Sequence, residues 1–525
     1  MKRIITDPIK MIAQEIKDSG YEWQKDDQNH VSPTTSEVSS INKPEEIKFN
    51  GNIMIFGYGA VSRCTIPILL RHIKVDLKQI TVIDKEDLHE EIKTWTDKGI
   101  TFIHEKITKN NYKTIISKYL GSGDMLIDLA YNIETTDILQ YCHDKNILFC
   151  NTSIEVWHPQ RIIENGMAYD KSLYARHMRI KDITDKWDTP EESVTAVLDH
   201  GANPGLISHL TKQGILDIAK SVIKEKSNST IENLIKNEKF NELAMNLGIK
   251  VIHCSERDTQ ITNKPKEVGE FVGTWSIDGL IEEGMSPAEL GWGTHETEMP
   301  PNSTRPDKGP QNQIFIDQMG INTWVRSWVP GYEIVGMLIR HGEAFGISKY
   351  LTVKKNGKIL YRPTVHYAYL PCDSTIASLH EMRGAMYEEP KEKRVMYDDI
   401  QSGADILGAL IMGHKYNAWW TGSNLDINKA RELVPGQNAT TIQVAIGLVS
   451  AICWMVENPN KGVNIPDNLP HDKILKIAKP YLGQFISKKY DWTPAKNFKN
   501  FYTGRKNNEL DTENLWNFKN FVWRD

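Results

Sequence analysis

The stretch HCSERDTQ (residues 253–260) places ionisable side chains directly after the apolar run LGIKVI. A short apolar run of this kind is typical of a buried strand, so the two acids, Glu256 and Asp258, are predicted where that strand ends. Acids held beside a protein core need a compensating positive charge, because an unpaired buried charge is costly. The stretch therefore indicates a site that receives something cationic.

Acidic and aromatic residues continue to collect downstream of this stretch. Residues 251–298 contain ten acidic and three basic side chains, together with Trp275 and Trp292. Proteins hold organic ammonium groups with carboxylates and tryptophan faces, through charge-assisted hydrogen bonds and cation–π attraction. The spacing of histidines and carboxylates matches no metal motif such as HExxH, so no metal is predicted. The alternative is a solvated acidic loop, which explains Glu267 and Glu270 but gives no use for rigid aromatic side chains.

A glycine-rich turn follows another apolar run, NIMIF. The sequence GYGAVS places Gly57, Gly59 and Ser62 in the GxGxxG/A frame, where the glycines allow a tight turn and a close approach to a pyrophosphate. Asp84 ends the next apolar run, somewhat beyond the usual ~20 residues from the first glycine. A carboxylate there accepts ribose hydroxyls and repels a 2′-phosphate, so the pattern predicts NAD rather than NADP. An ordinary strand–turn–helix without a ligand is the alternative.

A nicotinamide site next to a cation site suggests hydride transfer at a carbon that bears an amine. The amine must first lose a proton, so a general base is needed, and His341 or a carboxylate could serve. The iminium that forms needs negative charge or a π face nearby. Further candidates for these roles are Glu155 in NTSIEVW, His341 and Glu343 in IRHGEAF, and Asp405 in GAD.

Four segments of different character have to position these residues, and together they predict an α/β fold class. Residues 1–48 are polar and predict an extension, whereas residues 49–202 alternate apolar runs with helical stretches and predict a Rossmann-type parallel sheet. Residues 203–402 predict a mixed α+β substrate and dimerisation domain, in which AFGISKYLTV is assigned as a strand. Residues 403–525 are predicted to be helical, including ADILGALIMG and TTIQVAIGLVSAICWMV, and to pack back on the first domain.

The composition is that of a soluble globular protein, with 40% hydrophobic and 25% charged residues among 525. The net charge of −5 gives no electrostatic case for nucleic acid or an anionic membrane as a partner. Six cysteines without a CxxC pair predict free, buried thiols in a reducing compartment. No uninterrupted apolar run approaches the roughly 20 residues that span a bilayer, and the N-terminus is a poor signal peptide, so a cytoplasmic location is expected.

Six motifs in order resemble one family. HGANPGLISHL, SERDTQ, TWSIDG, PAELGWGTHE, RHGEAF and NATTIQVA are similar to those of homospermidine synthases, relatives of the saccharopine dehydrogenase group, and the resemblance runs from about residue 50 to beyond 460. It implies a homodimeric transferase that joins two putrescines into homospermidine and releases ammonia, with spermidine able to replace one putrescine. NAD would accept a hydride from one amine carbon, stay bound as NADH and return the hydride later.

The resemblance also implies roles for individual residues. Glu256 would handle the substrate ammonium, Trp275 would supply the cation–π face, and Glu283 would bind another amine. His341 and Glu343 are assigned to catalysis with them. The remaining members of the implied pocket are Glu155, Asn203 and Asp405.

Two other functions stay open from the residues alone. A net oxidoreductase of the saccharopine or carboxyspermidine type would handle a substrate carboxylate and would need well-placed basic side chains, for which Arg257 and Arg340 are the candidates. The other is a binding protein that senses polyamines or NAD. Such a protein would need no proton-handling group, so the presence of His341 and Glu343 argues against it.

Overall fold

The computed structural model describes three ranges of the chain: residues 46–159, 168–498 and 510–523. The predicted polar extension at 1–48 lies outside these ranges except for its last three residues. All six cysteines are free and buried, as the sequence predicts. Burial raises the pKa of the Cys372 thiol to about 12, so this thiol stays protonated near neutral pH.

The first part of the chain alternates strands with helices. Its strands are β1 (Ile47–Lys48), β2 (Ile53–Phe56), β3 (Ile73–Lys74), β4 (Ile80–Asp84), β5 (Thr101–His104), β6 (Met125–Asp128), β7 (Leu148–Asn151) and β8 (Ala196–Val197). Its helices are α1 (Ala60–His72), α2 (His89–Thr96), α3 (Tyr112–Tyr119), α4 (Thr135–Lys145) and α5 (Leu173–Thr184).

Six of these strands form the predicted parallel sheet, in the order β5-β4-β2-β6-β7-β8 with the strand Val463–Asn464 at its end, whereas β1 and β3 pair separately with each other. The chain moves outward from β2 to β4 and β5, then returns to the other side of β2 as β6. Open α/β sheets bind ligands at such a switch point, beyond the carboxyl ends of the strands. We call this edge, between β2 and β6, the switch-point edge.

Helix α1 begins directly after the glycine-rich turn, as predicted. Pro67 lies inside the helix and not at its start, where it removes one backbone hydrogen bond. The buried side of α1 packs into the same apolar cluster as β2 and β4, so the turn at Gly59 is held between a rigid strand and a rigid helix.

The rest of the chain supplies a second, larger sheet, several two-stranded sheets, the last strand of the first sheet and further helices. The strands are β9 (Val251–Asp258), β10 (Ile261–Thr262), β11 (Glu270–Gly273), β12 (Pro287–Gly291), β13 (Ser303–Thr304), β14 (Gln313–Met319), β15 (Trp324–Val329), β16 (Tyr332–Met337), β17 (Val353–Lys355), β18 (Lys358–Tyr361), β19 (Thr364–Leu370), β20 (Glu392–Val395), β21 (Ile400–Ser402), β22 (Ala404–His414), β23 (Asn417–Asp426), β24 (Val463–Asn464) and β25 (Gln484–Tyr490). The helices are α6 (Leu206–Glu225), α7 (Ser229–Lys236), α8 (Phe240–Leu247), α9 (Ile277–Met285), α10 (Gly342–Tyr350), α11 (Asp373–Gly384), α12 (Ile427–Leu433), α13 (Ala439–Glu457) and α14 (His471–Ala478).

The second sheet is mixed, which confirms that part of the predicted fold class. Its main path is β13-β14-β12-β19-β9-β22-β23-β25, and β16 joins β15 to β19. β19 and β9 run parallel, whereas the other neighbours are antiparallel. β9 lies near the centre of this sheet, so its side chains are deeply buried.

The position of the charged stretch differs from the prediction. β9 continues through Asp258, so HCSERD lies within the strand and not after it. Because side chains alternate along a strand, Cys254, Glu256 and Asp258 share one face while Ser255 and Arg257 share the other. The central position of β9 therefore buries two carboxylates on a single face.

Two secondary-structure predictions are wrong. ADILGALIMG is strand β22 and not a helix, and AFGISKYLTV is mainly helix α10 and not a strand. A side chain at Gly408 of β22 would lie 2.6 Å from the Thr421 carbonyl of β23, so the pairing of these strands needs glycine there. The segment 403–525 is consequently not a purely helical region, since β22, β23 and β25 belong to the second sheet.

Helix α13 connects the two sheets through its packing. It shares an apolar cluster with α1 and the first sheet, which confirms that a C-terminal helix packs back on the first domain. By length and composition α13 could cross a membrane, but 83% of its apolar window is buried inside the protein. It is the core helix that holds the switch-point edge against the second sheet.

Candidate active site

A cavity of about 110 Å³, open to solvent, lies at the switch-point edge. From the first sheet it is lined by Val61 at the start of α1 and by Leu129, Ala130 and Tyr131 after β6. Six residues predicted from the sequence also line it: Glu155, Asn203, Glu256, Trp275, Glu283 and His341. The fold thus brings the start of α1 and the acidic, aromatic motifs to one place.

Glu256 is held by two polar side chains. Its Oε2 atom accepts hydrogen bonds from the Tyr367 hydroxyl and from the Asn203 side-chain amide. Burial is the main influence on its carboxyl group, and although the two hydrogen bonds oppose it, the pKa of Glu256 is raised to about 7. A carboxyl group with that pKa can both take up and release a proton near neutral pH.

His341 and Glu343 form a buried ion pair at the start of α10. His341 is the N-cap residue, its Nδ1 contacts the Glu343 carboxylate, and the Gly205 backbone N–H donates to Glu343 Oε1 at 3.0 Å. Burial lowers the pKa of His341, but the Glu343 carboxylate outweighs this and raises it to about 9. His341 is therefore an imidazolium at neutral pH, which leaves the role of proton acceptor to a carboxylate. Glu343 lies behind His341 and is absent from the cavity lining.

Two further carboxylates face the cavity. Ser153 donates to Glu155 Oε1 at 2.6 Å, whereas the buried Glu155 Oε2 has no partner among the described residues. Burial, followed by the nearby Glu282, raises the pKa of Glu155. Burial also raises the pKa of Glu283 to about 7. Both groups can therefore receive an ammonium ion that restores their charged forms.

Asp405 lies behind the cavity and not in its lining. On β22 it is paired with Asp258 of β9, and its Oδ2 accepts a 2.7 Å hydrogen bond from Thr440. Burial, with Glu256 and Asp258 nearby, raises the pKa of Asp405 well above its usual value. Asp405 thus lies beside Glu256 on the same face of the sheet, and its predicted contact with the substrate stays a prediction.

Asp258 shapes the loop that follows β9. It accepts hydrogen bonds from the Gln260 backbone N–H at 2.8 Å and from the Thr274 hydroxyl at 2.8 Å. The Gln260 side chain in turn accepts from the Ala439 backbone N–H at the start of α13. These contacts tie the end of β9 to the loop that carries Trp275.

The two tryptophans of the acidic segment have different surroundings. Trp275 lines the cavity just before α9, and its indole N–H donates to the Tyr369 hydroxyl at 3.2 Å. Trp292 packs against Phe518 in a separate apolar cluster, with ring centres 6.2 Å apart. Only Trp275 is placed to offer its ring face to a ligand in this cavity.

The glycine-rich turn has the geometry that a dinucleotide phosphate needs. Gly57 has a φ of +84°, and a side chain there would lie 3.0 Å from the Leu129 carbonyl, whereas the space around Gly59 is open. No side chain caps the N-terminus of α1, so its amides can receive an anion. Asp84 stands beside this turn, with Oδ2 accepting the Tyr58 backbone N–H at 2.6 Å. Ser62, which was predicted at the third small-residue position of the motif, is buried within α1.

The basic side chains near the cavity are already paired. Arg176 and Arg340 both bind the carboxylate of Glu282, and Arg257 binds Asp373 at 3.1 Å. No lysine or arginine lines the cavity in the described part of the chain. The cavity therefore favours a cationic ligand and lacks the arginine or lysine that a substrate carboxylate would be expected to bind.

Comparison with known proteins identifies the family. Two family models match the chain: the saccharopine dehydrogenase NADP binding domain over residues 53–197 and the saccharopine dehydrogenase C-terminal domain over residues 201–490. A homospermidine synthase of Mesorhizobium japonicum is 35% identical over 494 residues, which cover 93% of this chain and 99% of that relative. The chain belongs to the homospermidine synthase family.

Two further members of the homospermidine synthase family agree. The homospermidine synthase of Blastochloris viridis is 35% identical over 91% of this chain and 98% of its own. The crystal structure of the homospermidine synthase from Legionella pneumophila in complex with NAD is 36% identical, with a TM-score of 0.81, and the match covers 91% of this chain and 99% of that one. The resemblance inferred from the six motifs is confirmed.

Some residues of the site were not identified from the sequence. Tyr367 lines the cavity and bonds to Glu256, although the two are 111 positions apart. Tyr369 holds Trp275, and Glu282 neutralises two arginines. The alternating run TVHYAYL does predict a strand with both tyrosines on one face, but nothing in it indicates that this face meets Glu256.

Proposed function

We propose that this protein is a homospermidine synthase that transfers an aminobutyl group from one putrescine to a second putrescine or to spermidine, with NAD as cofactor. One observation carries the proposal. Three carboxylates and the face of Trp275 line a single cavity at the switch-point edge, where the described residues place no lysine or arginine and His341 is the cationic neighbour. Carboxylates with a π face are what a diammonium substrate requires.

NAD fits the first sheet. The free N-terminus of α1 and the open space at Gly59 suit the pyrophosphate, and Asp84 suits the ribose hydroxyls. When bound, NAD supplies a hydride acceptor for the first half of the reaction and a hydride donor for the second. The cavity residues Val61, Leu129 and Ala130 shield the reacting carbon from water.

The chain's own groups handle protons and charge. A carboxylate, for which Glu256 has a suitable pKa of about 7, accepts the proton from the amine that is oxidised. The amine of the second diamine then adds to the resulting C=N carbon, ammonia leaves, and the new C=N bond accepts the returned hydride to become a C–N bond. Glu155 and Glu283 hold distal ammonium groups, and Trp275 stabilises the cationic carbon through its ring.

The His341–Glu343 pair is assigned to orientation and proton release. An imidazolium beside the carboxylates offers a proton to the departing ammonia, and Glu343 fixes the ring through Nδ1. The rival reaction, net oxidation of a carboxylate-bearing amino compound, is disfavoured because Arg257 and Arg340 are engaged elsewhere.

Product balance tests the proposal. Purified protein incubated with putrescine and NAD⁺ should form homospermidine and ammonia in equal amounts, without stoichiometric NADH. Steady accumulation of NADH with no homospermidine would instead identify a net oxidoreductase. Binding of both ligands without any product would identify a sensor.

Replacement of Asp84 with asparagine should change cofactor preference. The amide keeps one acceptor for the Tyr58 backbone but removes the charge that ribose hydroxyls bind and that repels a 2′-phosphate. The dissociation constant for NAD is expected to rise about tenfold, because hydrogen bonds to charged groups are worth about 1.5–3 kcal/mol. Affinity for NADP should improve in the same titration, whereas the exposed Asp87→Asn should change neither; unchanged selectivity in Asp84→Asn would contradict the assignment.

Activity should fall on the acidic side of about pH 7. Glu256 and Glu283 have pKa values raised to about 7, so both lose their charge, and their hold on ammonium groups, as the pH drops through that value. With NAD saturating, kcat/KM for putrescine should decrease about tenfold per pH unit below the pKa if one of the two carboxylates must be charged, and up to about a hundredfold if both must be. An acid limb near pH 4.5, the range of an ordinary glutamate, would refute this ionisation scheme.

Assembly and location follow the family expectation. We place the protein in the cytoplasm as a homodimer, with no nucleic acid or membrane partner. Native mass spectrometry of the purified protein would report the number of chains and whether NAD stays bound through purification; a monomer free of NAD would contradict the expectation.

A further inference from the structure

We infer that two tyrosines of β19 are positioning residues for the ammonium site, Tyr367 for Glu256 and Tyr369 for Trp275. The inference rests on the proposed function, since it explains how the two main groups of that site are oriented. Neither tyrosine stands out in the sequence, and each acts through the residue it touches.

The sheet register brings the pair to the site. β19 runs parallel to β9, with Tyr367 opposite Cys254 and Tyr369 opposite Glu256. Residues two apart on a strand share a face, so both hydroxyls lie on the face that carries Glu256. The two rings stack with their centres 5.2 Å apart and only 12° between their planes, and both side chains are almost fully buried. Neither ring can move without displacing the other.

Tyr367 acts on the charge of Glu256. The Asn203 side-chain amide donates to the Tyr367 oxygen at 2.7 Å, so the phenol keeps its own proton for Glu256 Oε2. A hydrogen bond donated to a carboxylate favours its charged form. Burial of Glu256 works in the opposite direction. Tyr367 therefore keeps the carboxylate available for an ammonium group at neutral pH and aims it into the cavity.

Tyr369 acts on the plane of Trp275. Its oxygen accepts the indole N–H at 3.2 Å, the one hydrogen bond that an indole can donate. Cation–π attraction depends on the cation lying over the ring face, so a ring free to rotate loses part of it. The stacked rings thus hold both hydroxyls in place, while each hydroxyl orients its own partner.

Two double-mutant cycles test the inference. Tyr367→Phe should lower kcat/KM for putrescine about tenfold at pH 7 and shift the acid limb upward by about one pH unit, because Glu256 loses a donor. The same change in a Glu256→Gln background should cause neither effect.

The second cycle concerns Tyr369 and Trp275. Tyr369→Phe should lower kcat/KM about three- to tenfold with no shift of the acid limb. It should cause no further loss in a Trp275→Phe background, where no indole N–H remains.

Crossed combinations and a matched variant serve as controls. Tyr367→Phe with Trp275→Phe, and Tyr369→Phe with Glu256→Gln, should be close to additive. Tyr481→Phe removes the hydroxyl of another buried tyrosine, which contacts His72 at 3.1 Å outside the cavity, and should leave activity unchanged. The melting temperature and NAD affinity of each variant show whether the fold is kept.

The inference is overturned if Tyr367→Phe leaves the acid limb in place, or if Tyr369→Phe is as harmful with Trp275→Phe as without it. Titration calorimetry of putrescine into the NADH-loaded protein measures both cycles without turnover. If calorimetry shows both couplings but the wild-type protein makes no homospermidine, the proposed function fails while the tyrosine assignment stands. If the enzyme makes homospermidine but the paired substitutions have additive effects on putrescine binding, the proposed function stands and the tyrosine assignment fails.

Discussion

Replacement of Glu256 with glutamine is expected to abolish most amine turnover while leaving NAD binding intact. Glutamine keeps the shape of the side chain but cannot hold a negative charge opposite a substrate ammonium. Loss of one partner of a buried, hydrogen-bonded charge pair costs about 2–4 kcal/mol, which corresponds to about 30- to 1,000-fold in kcat/KM for putrescine. The same change removes the proposed proton acceptor, so kcat should fall and KM should rise.

Glu296→Gln is the matched control for this substitution. Glu296 is also a buried glutamate with a pKa raised to about 7, mainly by burial. It accepts from the Phe518 backbone N–H at 2.9 Å and lies outside the cavity lining. If Glu256→Gln weakened NAD and putrescine equally, or if Glu296→Gln lowered amine use to the same extent, Glu256 would be a structural residue and not part of the amine site.

Trp275 should show graded losses. Trp275→Phe is expected to keep partial activity and Trp275→Ala to lose most of it, since a smaller ring retains part of the cation–π attraction and a methyl group retains none. The attraction is worth about 0.5–2 kcal/mol, or up to about 30-fold in kcat/KM. Steady-state kinetics with putrescine at saturating NAD would measure both variants.

Trp292→Phe is the control for the aromatic change. Trp292 belongs to the same acidic segment, but its side chain packs against Phe518 away from the cavity. It should affect the melting temperature more than kcat/KM. Equal activity of Trp275→Phe and Trp275→Ala would remove Trp275 from the mechanism, whatever its distance from the carboxylates.

The elements around the glycine-rich turn could be predicted from residues that are close in sequence. The apolar run NIMIF, the glycines after it and the helix that follows are neighbours in sequence, so turn chemistry and periodicity were enough to predict β2, Gly57, Gly59 and α1. Glu155, Asn203, Glu256, Trp275, Glu283 and His341 line one cavity. Residue type pointed to Glu155, Glu256, Trp275 and His341, whereas Asn203 and Glu283 were assigned through the family motifs. Residue spacing alone would not have brought β9 and α10 to one cavity.

The errors arose where sequence patterns are ambiguous. ADILGALIMG and AFGISKYLTV are short apolar runs that fit either a strand or a helix. The first becomes a strand because Gly408 permits close pairing with β23, and the second becomes a helix whose first turn holds Glu343 beside His341. Asp405 was expected to contact substrate; it lies opposite Asp258, on the same face of the sheet as Glu256 but outside the cavity lining, so that contact stays a prediction.

The contacts that the sequence analysis did not predict join residues that are far apart in the chain. The hydroxyl of Tyr367 reaches Glu256 only because β19 and β9 are adjacent and parallel. Likewise, Glu282 pairs with Arg340 across 58 positions of the second part of the chain and with Arg176 of the first part. Such partners follow from sheet order, which short sequence motifs do not encode.

The fate of the hydride tests the central claim most directly. Putrescine deuterated at both amine-bearing carbons would be incubated with the protein and NAD⁺, in the presence of excess unlabelled NADH, and the homospermidine analysed by mass spectrometry. If the cavity keeps the reduced cofactor bound between the two half-reactions, the product retains every deuterium of both putrescines. Homospermidine lacking one deuterium would show exchange of the cofactor with the pool, and oxidised product with labelled NADH in solution would contradict the transferase assignment altogether.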